Sequence, residues 1–254
     1  MTKPTLSDAE LAAAIATSAG RVLMELRASE LFEGKALGAA GDAVAQRFID
    51  EVLKVHRPDD AVLSEEAVDD KARTSAQRVW IIDPLDGTRE YSEGRTDWAV
   101  HVALTLGGAP ALGAVALPGL ELTLRSDAPA PVPAGNTPPK MLVSRTRPAP
   151  QAVSVAETIG AELLPMGSAG AKAMAVVRGE ADIYLHAGGQ YEWDSCAPVA
   201  VALAAGLHVS RIDGSPCIYN QADPYMPDLL ICRPEYAEAV LKAVADLPAE
   251  APAA

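Results

Sequence analysis

Positive charge is scarce in this chain. Against 34 Asp and Glu it carries only 21 Lys and Arg, and the resulting formal net charge of −13 excludes the basic footprint that binding to a nucleic-acid polymer requires. Aromatic residues make up 4% of the sequence, which leaves few platforms for stacking a run of bases. Cysteine is also sparse: Cys196, Cys217 and Cys232 are an odd number, form no close metal-ligand pair, and follow no N-terminal signal peptide. Reduced thiols and a cytoplasmic location are expected. His56, His101, His186 and His208 show no metal-ligand spacing, and no Gly-x-Ser-x-Gly elbow surrounds Ser195, which disfavours a serine hydrolase. The run from Trp98 to Leu120 lacks formal charge altogether, but Gly107-Gly108, Pro110, Gly113 and Pro118-Gly119 cut it into strand-sized pieces. It reads as a buried β-meander and not as a transmembrane span.

What the chain does have is apolar mass. With 254 residues, 49% of them hydrophobic, it can bury one sizeable core or two closely packed layers sharing a cleft. Ser7-Asp8-Ala9-Glu10 is a capping-box pattern opening a helix to about Ala28, and a second helix is expected from Asp42 to Val55. Strands ending at Glu65 and Asp83 follow, then the meander at 98–106, 111–117 and 121–125. The Pro-, Ala- and Gly-rich segment Asp127–Pro139 is the expected boundary between an N-terminal α+β half, 1–130, and a C-terminal α/β half, 140–254. Beyond it strands are expected at Lys140–Ser144, Glu162–Met166 and Ala181–His186, alternating with helices at Ala149–Ile159, Ala169–Arg178 and Asp194–Ala205. Short strands near His208 and Leu229, a helix Pro234–Leu247 and a frayed tail complete the chain. Such alternation implies helices layered on a sheet.

The chemistry concentrates at Val79-Trp-Ile-Ile-Asp83-Pro-Leu85-Asp86-Gly87-Thr88. An apolar β-type segment delivers two carboxylates, the Leu85 carbonyl, a glycine and a hydroxyl to one turn, which suits a small hard cation such as magnesium. Gly87 permits close backbone approach, and the amides after it can open a helix whose N-terminus attracts an anion. Asp-Pro followed by Asp-Gly is also ordinary turn chemistry. A calcium EF-hand loop is excluded, because with Gly87 at its glycine position Ile82 and Pro84 fall where carboxylates are needed. An aspartyl-nucleophile phosphatase, whose second aspartate usually lies two residues on and not three, stays as a rival mechanism. Further acids stand at element ends: Glu65-Glu66 after Ala61-Val-Leu-Ser64, and Asp194 before an apolar helical run, where a plain N-cap is the competing role.

Trp80 to Thr88, Glu65-Glu66 and Trp193-Asp194 together resemble, in order and spacing over nearly the whole chain, the three signatures of the inositol-monophosphatase-like, magnesium-dependent, lithium-sensitive phosphatases. Asp86-Gly-Thr88-Arg89-Glu90-Tyr91, Trp193-Asp194-Ser-Cys-Ala-Pro198 and Gly167-Ser168-Ala-Gly-Ala-Lys172 look most like the CysQ-type branch that cleaves 3′-phosphoadenosine 5′-phosphate. The resemblance implies a layered α-β-α-β-α sandwich of the inositol monophosphatase and fructose-1,6-bisphosphatase type. It implies two or three Mg²⁺ ions, with Asp83 bridging, Glu65 and the Leu85 carbonyl on one ion, and Asp86 with Asp194 on the other. Two such ions about 3.5–4 Å apart hold the attacking and leaving oxygens in line. Thr88, oriented by Asp42, would accept a proton from the attacking water, although Gly41-Asp42 also reads as a helix N-cap. Gly87, Thr88 and Arg89 amides would bind phosphate oxygens, and relatives place Ser168 and Asp194 beside the substrate.

Ser144-Arg145-Thr146-Arg147 is similar to a Ser-Arg-Ser-His stretch near the substrate of nucleotide-cleaving relatives, with Thr146 and Arg147 replacing its last two residues. A forked guanidinium there suits a second phosphate, as do Arg147 and Lys172. Ala187 stands where inositol-cleaving relatives usually place a glutamate, which disfavours inositol. The four histidines are expected to be structural, with His186 the one near the cleft. The expected activity is hydrolysis of 3′-phosphoadenosine 5′-phosphate, and of its 5′-phosphosulfate, in sulfur assimilation. Inositol monophosphatase, fructose-1,6-bisphosphatase and a catalytically idle magnesium- or nucleotide-binding protein are the alternatives. Relatives are often homodimers, and the sequence leaves the oligomeric state open.

Overall fold

The computed structural model describes residues 6–69 and 71–248; of the expected frayed tail, Pro248–Ala254, only Pro248 lies among the described residues. Helix α1 (Asp8–Ala28) opens on a true capping box, with Glu10 N–H donating to Ser7 Oγ at 3.2 Å and Ser7 N–H to Glu10 Oε2 at 2.9 Å. Helix α2 runs Gly34–His56, so it begins well before the expected Asp42, and Asp42 is not its N-cap. Two glycines hid those first turns, being poor helix formers. They serve close packing: a Cβ at Gly38 would lie 2.7 Å from Thr88 Cγ2, and one at Gly41 would lie 2.9 Å from Leu85 Cδ2.

The first sheet has the order β1 (Ala61–Ser64), β2 (Arg78–Asp86), β3 (Ala99–Leu106), β4 (Ala109–Leu117), β5 (Leu122–Arg125). Strands β1 and β2 are parallel and the remaining pairs antiparallel. The charge-free run is thus the expected meander, and no helix among the described residues is long and apolar enough to cross a membrane. The second sheet has β6 (Lys140–Ser144) between β7 (Glu162–Met166) and β8 (Ile183–Tyr191), then β10 (Tyr225–Cys232) and the edge strand β9 (His208–Ser210). Residues 126–139 between the sheets hold no regular strand or helix.

Burial sorts these elements into five layers. Alternate residues of β2 face opposite ways, which is why its sequence is apolar throughout. Trp80 and Ile82 pack with Leu11, Ile15, Leu23 and Ile49 of α1 and α2. Val79 and Ile81 face a central layer formed by α5 (Ala169–Val177) and α6 (Glu192–Ala204), which Leu142, Tyr184, Leu229 and Ile231 of the second sheet close from the other side. The far face of that sheet, Met141, Val143, Ile183 and Leu230, packs on α4 (Pro150–Ile159) and α7 (Pro234–Ala245). The order α-β-α-β-α is the expected sandwich. The short helix α3 (Thr88–Ser92) sits at the end of β2, where the site forms.

Candidate active site

Parallel pairing of β1 and β2 brings the first two acids together. The register matches Ser64 with Ile82, so Glu65 and Asp83 both emerge one residue beyond it, and Glu65 N–H donates to the Ile82 carbonyl at 3.3 Å. Asp83 Oδ1 accepts the Leu85 N–H at 3.0 Å, folding the chain around Pro84. Pro84 interrupts the regular pairing without ending the strand: β2 resumes its pairing with β3 at Asp86, and the register shift between Asp83 and Asp86 absorbs the missing donor. Gly87 then turns the chain with φ +87° into α3.

Asp83, Asp86 and Asp194 converge, with one carboxylate oxygen from each lying within 4.8 Å of the others. Asp194 comes from the first turn of α6, two residues after its actual start at Glu192, and its Oδ2 accepts the Tyr191 N–H at 2.6 Å. It is therefore a cap and a member of the acidic cluster at once. Burial, reinforced by Glu65, Asp86 and Asp194, holds Asp83 well above the usual carboxylate range. Burial and the Asp86 charge push Asp194 up to about 6, and loss of hydration together with Asp194, Glu66, Asp86 and Asp42 pushes Glu65 to about 7. Each of these shifts reports that adding negative charge to the cluster is costly, a cost that a cation between the carboxylates would offset. The donor set is entirely hard oxygen, which fits Mg²⁺ and disfavours zinc or copper.

Asp86 behaves differently. Burial acts to raise it, but His101, the Ser168 hydroxyl and the Gly170 amide outweigh that and hold it at about 2. The Ala169 and Gly170 N–H groups donate to it at 3.1 and 2.6 Å from the first turn of α5, which clamps the first-sheet carboxylate to the central layer. Ser168, the N-cap of α5, is held at φ +53° and donates to Asp86 Oδ2 at 2.5 Å while accepting from Ala171 N–H at 2.9 Å.

His186 lines the cavity as expected, but it is not alone near the site: His101 lies fully buried with Nδ1 3.0 Å from the Trp193 carbonyl and Nε2 3.2 Å from Asp86 Oδ2. A carbonyl only accepts, so Nδ1 carries a proton; the contact to Asp86 is electrostatic, without hydrogen-bond alignment. Strand alternation was the available signal, because His101 faces the central layer with Ala99 and Ala103. A Cβ on Gly170 would overlap His101 Nε2, so glycine is required for this approach.

Thr88 Oγ1 lies 3.3 Å from Asp42 Oδ1 and 3.1 Å from the Leu85 carbonyl. Burial, with the Glu66 charge, pushes Asp42 to about 6. Next to the acids lies a cavity of about 330 Å³ lined by Asp86, Gly87, Ser144, Ser168, Lys172, Tyr184, His186, Gln190, Tyr191 and Asp194 among others. Lys172 is buried, donates from Nζ to the Ser168 and Gly167 carbonyls at 2.5 and 3.3 Å, and is lowered by that burial. Two expected cations are engaged elsewhere: Arg145 donates to Glu90 and Glu93, each at 2.6 Å, and Arg89 to Glu93 at 2.9 Å. Arg147 is exposed.

The inositol monophosphatase family profile matches residues 7–249. A 3′-phosphoadenosine 5′-phosphate phosphatase of Mycobacterium leprae is 50% identical, with 95% of each chain covered, and one of Mycobacterium tuberculosis is 52% identical, with 90% of each covered. Among solved structures, CysQ from Bacteroides thetaiotaomicron superposes with a TM-score of 0.76 at 23% identity, covering 89% of this chain and 97% of its own.

Proposed function

Because the chain belongs to the inositol monophosphatase family, we propose that it hydrolyses the 3′-phosphate of 3′-phosphoadenosine 5′-phosphate to give AMP and phosphate. Its 5′-phosphosulfate is the second substrate, yielding adenosine 5′-phosphosulfate. The mycobacterial relatives, which match over nearly their full length, support the nucleotide as substrate. In the cell this reaction clears an inhibitory by-product of sulfur assimilation. The observation that carries the chemistry is the convergence of Asp83, Asp86 and Asp194, the last two of which line the cavity that also holds Lys172.

These acids, Glu65 and the Leu85 carbonyl would hold two or three Mg²⁺ ions, which when bound neutralise phosphoryl oxygens and lower the pKa of water. The chain's own part in the reaction starts at Thr88. Its single hydroxyl proton goes to ionised Asp42, which leaves the Oγ1 lone pairs to take a proton from the attacking water. As the water oxygen bonds to phosphorus, the bond to the 3′ oxygen breaks, and that oxygen leaves with the electron pair and takes up a proton from solvent water to become the 3′-hydroxyl of AMP. Gly87, Thr88 and Arg89 amides bind phosphoryl oxygens at the start of α3, and the remaining donor of Lys172 serves the 5′-phosphate with Ser144 and Ser168 around it. The engagement of Arg145 with Glu90 and Glu93 assigns it to tying β6 to α3, with phosphate contact conditional on breaking that pair.

Phosphate release from 3′-phosphoadenosine 5′-phosphate, inositol 1-phosphate and fructose 1,6-bisphosphate, compared as kcat/KM with magnesium, tests this reading. The nucleotide is expected to lead. A lead for either sugar phosphate reassigns the substrate, and no turnover of any of the three favours a binding protein. A phosphoryl group trapped on Asp83 would replace the water mechanism with the aspartyl one.

A further inference from the structure

Resting on the magnesium site of that reading, we propose that His101 is a positioning residue for it, setting the gap between Asp86 and Asp194 and with it the affinity for the cation. Its place is central to the three acids. The β2–β3 register pairs His101 with Asp83, so both side chains leave the sheet on the same face. Its Nδ1–H donates to the Trp193 carbonyl at 3.0 Å, one residue before Asp194, and its Nε2 lies 3.2 Å from Asp86 Oδ2. One fully buried ring therefore joins the segments that carry the ligands. The fold reserves space for it, since a Cβ on Gly170 would overlap Nε2.

The two linked carboxylates are anchored unequally. Asp86 is fixed by α5: its Oδ2 accepts from the Ser168 hydroxyl at 2.5 Å and from Gly170 N–H at 2.6 Å, and its Oδ1 from Ala169 N–H at 3.1 Å. A carboxylate offers about four acceptor sites, so Oδ2 is filled and Oδ1 keeps one that a cation can take. Asp194 has less support from its own helix. Pro198 lies inside α6 and has no N–H, so the Asp194 carbonyl loses the bond that residue 198 would otherwise supply, and the proline ring crowds it. The turn carrying Asp194 is held from outside instead, and His101 reaches it from the first sheet. Groups that orient metal ligands in this way are worth about 10–100-fold in metal affinity.

Magnesium binding to chelator-treated protein, followed by calorimetry without substrate, tests this on variants of His101. His101→Leu keeps apolar bulk and removes both nitrogens, and its dissociation constant for magnesium is expected to rise by about 10–100-fold. His101→Asn keeps a donor at the position of Nδ1 and should stay within about three-fold of the wild type. His101→Gln sets its amide where Nε2 lies and abandons the Trp193 carbonyl, so it should bind magnesium more weakly than His101→Asn. In phosphate release, the deficit of His101→Leu should narrow as magnesium is raised, whereas damage confined to packing gives the same deficit at every concentration. Wild-type affinity in His101→Leu, equal affinity in His101→Asn and His101→Gln, or a deficit that magnesium does not narrow overturns the proposal. The Asn and Gln comparison decides even where His101→Leu fails to fold. A wild type that binds no magnesium overturns the metal site and the assigned hydrolysis together, while magnesium binding without turnover of the nucleotide overturns the activity and leaves the role of His101 standing.

Discussion

Stripped of divalent ions, the protein should lose stability as pH rises from about 4 to about 7, the reverse of ordinary acid denaturation. Asp194 shows why. Its ordinary value of 3.8 is raised to about 6 in the fold, by burial first and by Asp86 second. Between those values the unfolded chain has released the proton while the folded chain keeps it, so stability falls with pH. At 1.36 kcal/mol per pKa unit the whole effect is about 3 kcal/mol, complete above pH 6 and absent below pH 4. For a chain of this length that corresponds to about 6–12 °C in melting temperature. Asp83 and Glu65, raised by the same cluster, carry the same sign. So does His101, whose raised value gives stability that is full below 6.5 and lost as pH climbs through the folded-state value. Asp86, held at about 2, acts oppositely but only as pH drops below 3.8, outside the window. Melting of chelator-treated protein, followed by circular dichroism across this range, reads the effect. Saturating magnesium should suppress the slope, and Asp194→Asn should make it shallower. A metal-free profile that is level or rises with pH, or a slope indifferent to Asp194→Asn, would refute the electrostatic account of the cluster.

Asp83→Asn should lower kcat/KM for the nucleotide by at least about a thousand-fold, the equivalent of about 4 kcal/mol of lost charge neutralisation, while the melting temperature of the metal-free protein rises; an active variant would remove Asp83 from the metal site. Asp42 requires its ionised form to take the Thr88 proton, so activity should climb as pH passes about 6, and a kcat/KM profile of Asp42→Asn should lack that limb. Gly170→Ala, which forces a methyl against His101 Nε2, should cost about 1–3 kcal/mol in a denaturant melt and depress turnover; near-normal stability would show that α5 yields easily. Lithium should inhibit phosphate release, and insensitivity at millimolar concentration would contradict the likeness of this metal site to those of its family.

Much of the site was legible because its signals are local. Asp83, Leu85, Asp86 and Thr88 lie within one turn, and β2 reads as apolar because both of its faces are covered. Helix α2 was misread at its start for an equally local reason: Gly38 and Gly41 lower helix propensity, while the gain from packing them against α3 depends on a partner far along the chain. The same correction lifts Asp42 out of the cap role and places it mid-helix, facing Thr88.

Residue type, order and period were enough to determine the alternation of strands and helices, the meander in the charge-free run, and the acids available for hard cations, while the five-layer stacking came from the family resemblance of the motifs. Only the tertiary structure decided how those groups differ from one another. Asp86 is held low and Asp83 high because α5 and His101 supply donors to the first and none to the second. Arg145 is engaged by Glu90 and Glu93, and Gln190 is left without a partner, because of what chain folding places around each. Burial and pairing are properties of neighbours brought together over long separations, and a residue's own place in the sequence carries no record of them.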